Sequence, residues 1–309
     1  MKKILLLFLF TIFILGGCAS DSSAEADLQP ITFGAISSVD VLPLVIAEEN
    51  GYFEDEGLEV TLELFNSAND RDSAYISGQL DGMICDMIAI NLYQNSDVDL
   101  KITGLTDGDF RLIARPEIGI DDITDLVDQT VAISDHTSIE YALDKIVEAN
   151  GLDQNDPNKT IVPAVPVRLE MLRNQQVDVA LLPEPFSTLA LNDGYTLLGS
   201  AKELGYYTSV TAFSQDVIDE KTEELERFYS AYNQAVDYLN ETPIDEYEDI
   251  VIEIVGYAED MKGSIENPVF RTNQLPTEDE LQEVIDWVIE KDLIDDAFTP
   301  DQLIDDIGI

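Results

Sequence analysis

Short apolar runs alternate along most of the chain with longer segments in which apolar residues recur at helical spacing. The predicted strands are residues 31–36, 59–65, 82–85, 100–105, 130–134, 160–165 and 177–182. The predicted helices are residues 44–53, 70–77, 88–94, 122–127, 138–149 and 168–174. Strands that alternate with helices form βαβ units, so the pattern predicts an α/β fold with largely parallel sheets.

The pattern changes near residue 207, where helical spacing takes over. The apolar positions are Leu225, Phe228, Tyr229, Tyr232, Val236 and Leu239, followed by Leu281, Val284, Ile285, Val288 and Ile289. These two stripes predict a helical C-terminal segment whose apolar faces pack on the core.

One stretch of the sequence occurs twice in similar form. Residues 76–86 resemble residues 172–183, and both are predicted to run from a helix through a tight turn into a buried strand. The matching polar positions are Gln79 with Gln176 and Asp81 with Asp178. The repeat suggests two similar lobes, in which we assign both aspartates a structural role.

The N-terminal residues predict export and lipid attachment. Two lysines precede an apolar run at residues 4–15, which is too short to span a hydrocarbon core of roughly 30 Å. Small residues then lead to Cys18, as in a bacterial lipoprotein signal. We predict a signal peptide at residues 1–17, acylation of Cys18 and a flexible tether at residues 18–30, which anchor the protein to the extracytoplasmic face of the cell membrane. An ordinary signal with an incidental cysteine is the alternative.

Composition excludes one class of partner and one kind of cross-link. The chain has 16 Lys and Arg against 63 Asp and Glu, a net charge of −47. Such a surface repels phosphate backbones, so nucleic-acid binding is excluded. After cleavage and acylation only Cys85 has a free thiol, so no intramolecular disulfide is possible, and we expect Cys85 to pack as a small apolar residue.

Four local strings carry a family resemblance. They are residues 43–60 (PLVIAEENGYFEDEGLEV), 80–86 (LDGMICD), 123–134 (ITDLVDQTVAIS) and 176–186 (QVDVALLPEPF). In this order they resemble the family of solute-binding proteins that includes alkanesulfonate-, nitrate- and taurine-binding proteins and the thiamine-pyrimidine-synthase-like binders.

The resemblance implies a two-lobed periplasmic-binding-protein fold of type 2 with a ligand cleft between the lobes. Lobe one would comprise residues 31–108 and 210–309, and lobe two residues 109–209. The resemblance further implies a monomeric substrate-binding component of an ATP-binding-cassette importer, with no enzymatic activity and no cofactor. Its partners would be a small-molecule ligand and the permease and ATPase subunits.

The candidate ligand contacts follow from a rule that does not depend on the family. Open parallel sheets bind ligands beyond the carboxyl ends of their strands. The predicted ligand-binding residues are Ser37, Ser38, Asp40, Asp86 and Met87 in the first half, and Ser134, His136, Thr137, Ser138 and Glu184 in the second.

Two of these residues also have simpler interpretations. Thr137 and Glu140 form a capping-box pattern, so Thr137 serves the helix start, the ligand or both. His136 is the sole histidine, and neither a second histidine nor a suitable cysteine completes a zinc site, so we predict no metal.

The loops also indicate a ligand class. Each of the four loops carries an acid, namely Asp40, Asp86, Asp135 and Glu184, and none carries Lys or Arg. Unpaired carboxylates disfavour a desolvated anion, so we expect an amine-bearing nitrogen heterocycle such as an aminopyrimidine. The alternatives are an anion such as a sulfonate, taurine or nitrate, if Arg111 or Arg115 turns inward, a pyrimidine-precursor enzyme on the same fold, and a sensory or adhesion lipoprotein.

Overall fold

Two five-stranded sheets organise the chain. A computed structural model describes residues 28–65, 67–120, 122–265 and 269–309. The strands are β1 (Ile31–Ile36), β2 (Val60–Phe65), β3 (Gly82–Asp86), β4 (Leu100–Leu105), β5 (Arg111–Ala114), β6 (Thr130–Ile133), β7 (Asn158–Ile161), β8 (Val179–Leu182), β9 (Thr196–Ser200) and β10 (Ser209–Ser214). The first sheet has the order β2-β1-β3-β10-β4 and the second the order β7-β6-β8-β5-β9.

The two sheets share one topology. In each, the fourth strand runs antiparallel to both of its neighbours. That strand is the first one after a crossing between the sheets: β5 follows the crossing at residues 106–110, and β10 follows the return at residues 201–208. The predicted two-lobed α/β class is confirmed, but the sheets are mixed because each receives an antiparallel strand from the connecting chain.

Helices surround both sheets. They are α1 (Leu42–Glu49), α2 (Tyr52–Asp55), α3 (Ala68–Ile76), α4 (Met87–Asn95), α5 (Ser138–Ala149), α6 (Val165–Arg173), α7 (Phe186–Asn192), α8 (Gln215–Glu220), α9 (Thr222–Glu241), α10 (Glu248–Val251), α11 (Glu278–Glu290) and α12 (Pro300–Leu303). The predicted C-terminal helices are confirmed as α9 and α11.

Each sheet is covered on both faces, as mixed sheets in α/β proteins require. In the first sheet, α1 and α9 pack on one face, and α4 and α11 pack on the other. In the second sheet, α5 covers one face, and α6 and α7 cover the other. The aromatic centre of the first face joins Phe33, Phe213 and Phe228, with ring centroids 5.2 to 5.7 Å apart.

Several predicted elements differ from the structure for local reasons. The predicted helix at 44–53 divides into α1 and α2 because Gly51 has a φ of 75°, which ends the first helix. The predicted helix at 122–127 is a single 3-10 turn at Ile123–Leu126. The predicted strand at 160–165 ends earlier, because a proline near the start of α6 favours the first turn of a helix there.

The sequence pattern also misses β5, β9 and β10. β10 lies where we predicted helices to begin, and five of its six residues are buried. A strand buried on both faces lacks the alternation that identifies a half-buried strand, so its short apolar run gives little signal.

The repeated sequence stretch has a structural counterpart. Asp81 accepts a hydrogen bond from the Thr32 backbone N–H at 2.8 Å, and Asp178 accepts one from the Thr130 backbone N–H at 3.0 Å. Each aspartate therefore ties the start of one strand, β3 or β8, to its parallel neighbour, β1 or β6. This agrees with the structural role predicted for the pair.

The membrane-related predictions concern the N-terminus. Among the described residues, no helix is both long and apolar enough to cross a membrane. The predicted signal peptide, the acylated Cys18 and the tether as far as residue 27 lie outside the described residues.

Candidate functional site

A cavity of about 940 Å³ opens between the two sheets. It lies beyond the carboxyl ends of four strands, since residues that end or follow β1, β3, β6 and β8 line its wall. Both the position and the size are those of a small-molecule site.

The structure brings most of the predicted contact residues to this cavity. Those that line it are Ser38, Asp40, Asp86, Ser134, Thr137, Ser138 and Glu184. Three others are not part of the lining. Ser37 follows β1 and donates its backbone N–H to the Phe65 carbonyl, while Met87 is fully buried in the core between α4 and α11. His136 is exposed in a left-handed turn with a φ of 55°.

Thr137 has the structural role that its sequence position allows. Its hydroxyl accepts a hydrogen bond from the Ile139 backbone N–H at 3.2 Å, and it is the N-cap of α5. Glu140 accepts from the His136 backbone N–H at 2.9 Å, so the carboxylate reaches one residue further back than in a regular capping box. Thr137 thus both caps the helix and lines the cavity.

The first two acids of the cavity are engaged within the protein. Asp40 is 6% exposed and accepts hydrogen bonds from the Ser38 and Thr106 hydroxyls. Asp86 caps α4 by accepting from the Ala89 backbone N–H at 2.8 Å. Burial raises the pKa of both carboxyls above the usual aspartate range. Neither is a free carboxylate that awaits a cationic ligand.

Glu184 is also engaged, and one of its bonds crosses the cavity. Its carboxylate pairs with the Arg111 guanidinium and accepts from the Ser187 hydroxyl at 2.7 Å. It also accepts from the Tyr257 hydroxyl at 3.2 Å. Tyr257 packs against the core of the first sheet, whereas Glu184 follows β8 of the second, so this bond joins the two halves across the cavity.

Arg111 and Arg115, the two arginines near the crossover, differ in position and in ion-pair partners. Arg111 lines the cavity but is neutralised by Glu184 and by Asp109, whose carboxylate lies 3.1 Å from its Nε. Arg115 is not part of the lining and pairs with Asp178 at 2.5 Å.

Sequence reasoning missed two other arginines of the cavity wall, Arg71 on α3 and Arg168 on α6. Each lies on a helix that precedes a strand, α3 before β3 and α6 before β8. A search restricted to the loops that follow strands could not find them. Arg168 is fully buried, and among the described residues its Nε and Nη2 atoms have no hydrogen-bond partner. An unpaired buried charge typically costs several kcal/mol, so the unpaired guanidinium of Arg168 is costly to the folded protein.

A charge cluster joins the two halves outside the cavity. Asp144 on α5 is fully buried and accepts from Lys159 at 2.5 Å, from Lys291 at 2.7 Å and from Trp287 Nε1 at 3.0 Å. Lys291 and Trp287 lie at the end of α11, which packs on the first sheet, so the cluster connects α5 of the second half to the first half.

Comparisons with known proteins agree with this architecture. A sequence profile of the family described as NMT1/THI5 like matches residues 38–246. A protein of Bacillus subtilis (strain 168), provisionally named an aliphatic sulfonates-binding protein, is 26% identical over 266 residues, which are 82% of this chain and 79% of that protein.

Two solved structures have the same fold. The periplasmic aliphatic sulphonate binding protein SsuA from Escherichia coli superposes with a TM-score of 0.76 at 16% identity, covering 89% of this chain and 91% of that chain. The periplasmic nitrate-binding protein NrtA from Synechocystis PCC 6803 superposes with a TM-score of 0.70 at 14% identity, covering 89% and 84% respectively.

Proposed function

The chain belongs to the NMT1/THI5-like family, and from this membership we propose that it is the extracytoplasmic substrate-binding component of an ATP-binding-cassette importer. The observation that carries the proposal is the cavity of about 940 Å³, because residues of both halves wall it. A ligand placed there contacts both halves at once.

The proposed mechanism is ligand-stabilised closure. Lobe one comprises residues 31–108 and 210–309, lobe two comprises residues 109–209, and the two crossovers between the sheets act as the hinge. A ligand that contacts both lobes favours the closed state by the free energy of those additional contacts. The bond from Tyr257 to Glu184 supports this mechanism because it forms only when the lobes are close. The permease subunits then select the closed, loaded form.

We further propose that the ligand is a small organic anion of the sulfonate type. The relatives named for aliphatic sulfonates support this class, and so does the unpaired guanidinium of Arg168. The nitrogen heterocycle expected from the loop acids loses its main support, because Asp40, Asp86 and Glu184 are engaged as cap or hydrogen-bond partners.

Membrane attachment is part of the same proposal. Acylation at Cys18 would hold the protein at the outer face of the membrane, and the strongly acidic surface would keep its body away from anionic headgroups. The mass of the mature N-terminal peptide tests this: a diacylglyceryl-modified cysteine supports it, and an unmodified residue or an uncleaved signal contradicts it.

Calorimetric titration tests the binding function. The panel contains short alkanesulfonates, taurine, nitrate and an aminopyrimidine. We expect micromolar or tighter binding of at least one sulfonate. Binding of the aminopyrimidine alone would reverse the ligand class, and no binding across the panel would contradict the proposed function.

A matched pair of variants shows whether binding takes place in the cavity. Val165 lines the cavity at the start of α6, whereas Val167 on the same helix is 48% exposed and outside the lining. Val165→Trp fills part of the cavity and should abolish binding, while Val167→Trp should bind as the wild type does. Equal binding by both variants would place the ligand elsewhere.

A further inference from the structure

Two buried arginines occupy equivalent places in the two halves. Arg71 lies on the helix before β3, and its Nη1 donates to the Ile84 carbonyl at 2.7 Å. Arg168 lies on the helix before β8, and its Nη1 donates to the Leu181 carbonyl at 2.6 Å. In both cases the carbonyl belongs to the residue 13 positions later in the chain. Both arginines line the cavity between the sheets.

The residue that follows each arginine breaks this equivalence. Asp72 follows Arg71, and its carboxylate accepts from both Nε at 2.9 Å and Nη2 at 2.7 Å. Leu169 follows Arg168 and is buried in the core beneath the second sheet. The same two atoms of Arg168, Nε and Nη2, consequently have no hydrogen-bond partner among the described residues.

The free edge of Arg168 suits an oxyanion. Nε and Nη2 lie on one side of the planar guanidinium and donate together to one anionic group, as the same two atoms of Arg71 do to Oδ1 of Asp72 in the other half. Burial lowers the pKa of Arg168 to about 9, which leaves the group cationic at neutral pH. Arg71 is neutralised by its own neighbour and has no such edge to offer.

We propose that Arg168 binds the charged head of the ligand and that Asp72 prevents Arg71 from binding a second one. The inference rests on the proposed function, because it requires an anion to enter the cleft. The arrangement of the two arginines also predicts selectivity: the site accepts a ligand with one anionic group and rejects a ligand with two. Apolar residues of the lining, among them Ile36, Val39, Leu191, Leu197 and Val251, provide contacts for an uncharged tail.

The first arm of the experiment removes the charge of Arg168. In calorimetry with a short alkanesulfonate, Arg168→Gln should lose about 10- to 100-fold in affinity, which is the range for a hydrogen bond to a charged group. Arg168→Lys keeps the charge without the two-pronged edge and should recover part of the loss. Arg173→Gln is the matched control, because Arg173 lies on the same helix, outside the cavity lining, in surface ion pairs with Glu170 and Asp193; it should change affinity less than about threefold.

The second arm releases Arg71. Asp72 has a side chain that is 30% exposed, so Asp72→Asn is expected to fold. It should bind at least one α,ω-alkanedisulfonate about 10-fold more tightly than the wild type, while its affinity for the monosulfonate stays within about threefold. This arm tests the effect of Asp72 on Arg71 even where Arg168→Gln does not fold.

The outcomes separate this inference from the proposed function. A wild-type protein that binds no sulfonate overturns both. A wild-type protein that binds a sulfonate, together with a folded Arg168→Gln variant of equal affinity, overturns only the role of Arg168. An Asp72→Asn variant with no gain in affinity for any disulfonate overturns the claim that Asp72 prevents Arg71 from binding an anion.

Discussion

Removing the charge of Asp144 should weaken the contact between the two halves. Asp144 is fully buried and accepts hydrogen bonds from Lys159, Lys291 and Trp287 Nε1. Asp144→Asn preserves the shape of the side chain but leaves two ammonium groups without their central carboxylate. Among the described residues, only the Glu140 carboxylate then remains as an ion-pair partner of both lysines, at 3.0 and 3.3 Å.

The expected cost follows from the burial of the groups. Removing one partner of a buried ion pair usually costs about 3–5 kcal/mol. The side chains of Lys159 and Lys291 are 17% and 20% exposed, so water can partly replace the lost carboxylate. We therefore expect a loss of about 2–4 kcal/mol in the free energy of unfolding, which for a chain of this size lowers Tm by roughly 3–7 °C.

Thermal unfolding followed by circular dichroism measures this loss. The matched control is Asp286→Asn on α11, because Asp286 is exposed and, within the part of the chain that the structure describes, its side chain bonds only to Gln282, at 2.8 Å. The control should shift the free energy of unfolding by less than about 0.5 kcal/mol. Trp287 is the only tryptophan, so its fluorescence should also change in Asp144→Asn and not in the control. Equal melting temperatures for the two variants would refute the role assigned to the cluster.

Two further predictions concern the cavity. Tyr257→Phe removes the hydroxyl that donates to Glu184 across the cleft, so ligand affinity should fall about 2- to 10-fold in calorimetry, the range for one hydrogen bond; unchanged affinity would show that the bond plays no part in closure. Burial raises the pKa of Asp40 and Asp86 above 3.8, so both carboxyls ionise, and add negative charge to the wall, at a higher pH than ordinary aspartates. The affinity for a sulfonate, which stays ionised throughout, should therefore decline as the pH rises through that window above 3.8; a flat or rising affinity would contradict this.

Hydrophobic periodicity predicted the elements whose signals are local. The strands Ile31–Ile36 and Leu100–Leu105 and the helix Ser138–Ala149 have the predicted bounds. β10 was missed because its partners lie more than a hundred residues earlier in the chain, and nothing in its own six residues distinguishes a buried strand from a helix.

The rule for the ends of strands found one part of the site and misjudged its charge. It located Asp40, Asp86 and Glu184 at the cavity, but counting acids in loops could not show that each has partners within the protein. It could not find Arg168 either, because that side chain reaches the cavity from the preceding helix. One sequence signal points to Arg168. The alignment that pairs Asp81 with Asp178 also pairs Arg71 with Arg168, upstream of the repeated stretch.

A crystal structure of the protein with a bound alkanesulfonate tests the central claim most directly. We predict that the ligand lies in the cavity between the sheets, with residues of both halves in contact and its sulfonate oxygens within hydrogen-bond distance of Arg168 Nε and Nη2. A ligand held by one half alone, or bound outside this cavity, would contradict the claim that the protein captures its substrate by closing two lobes around it.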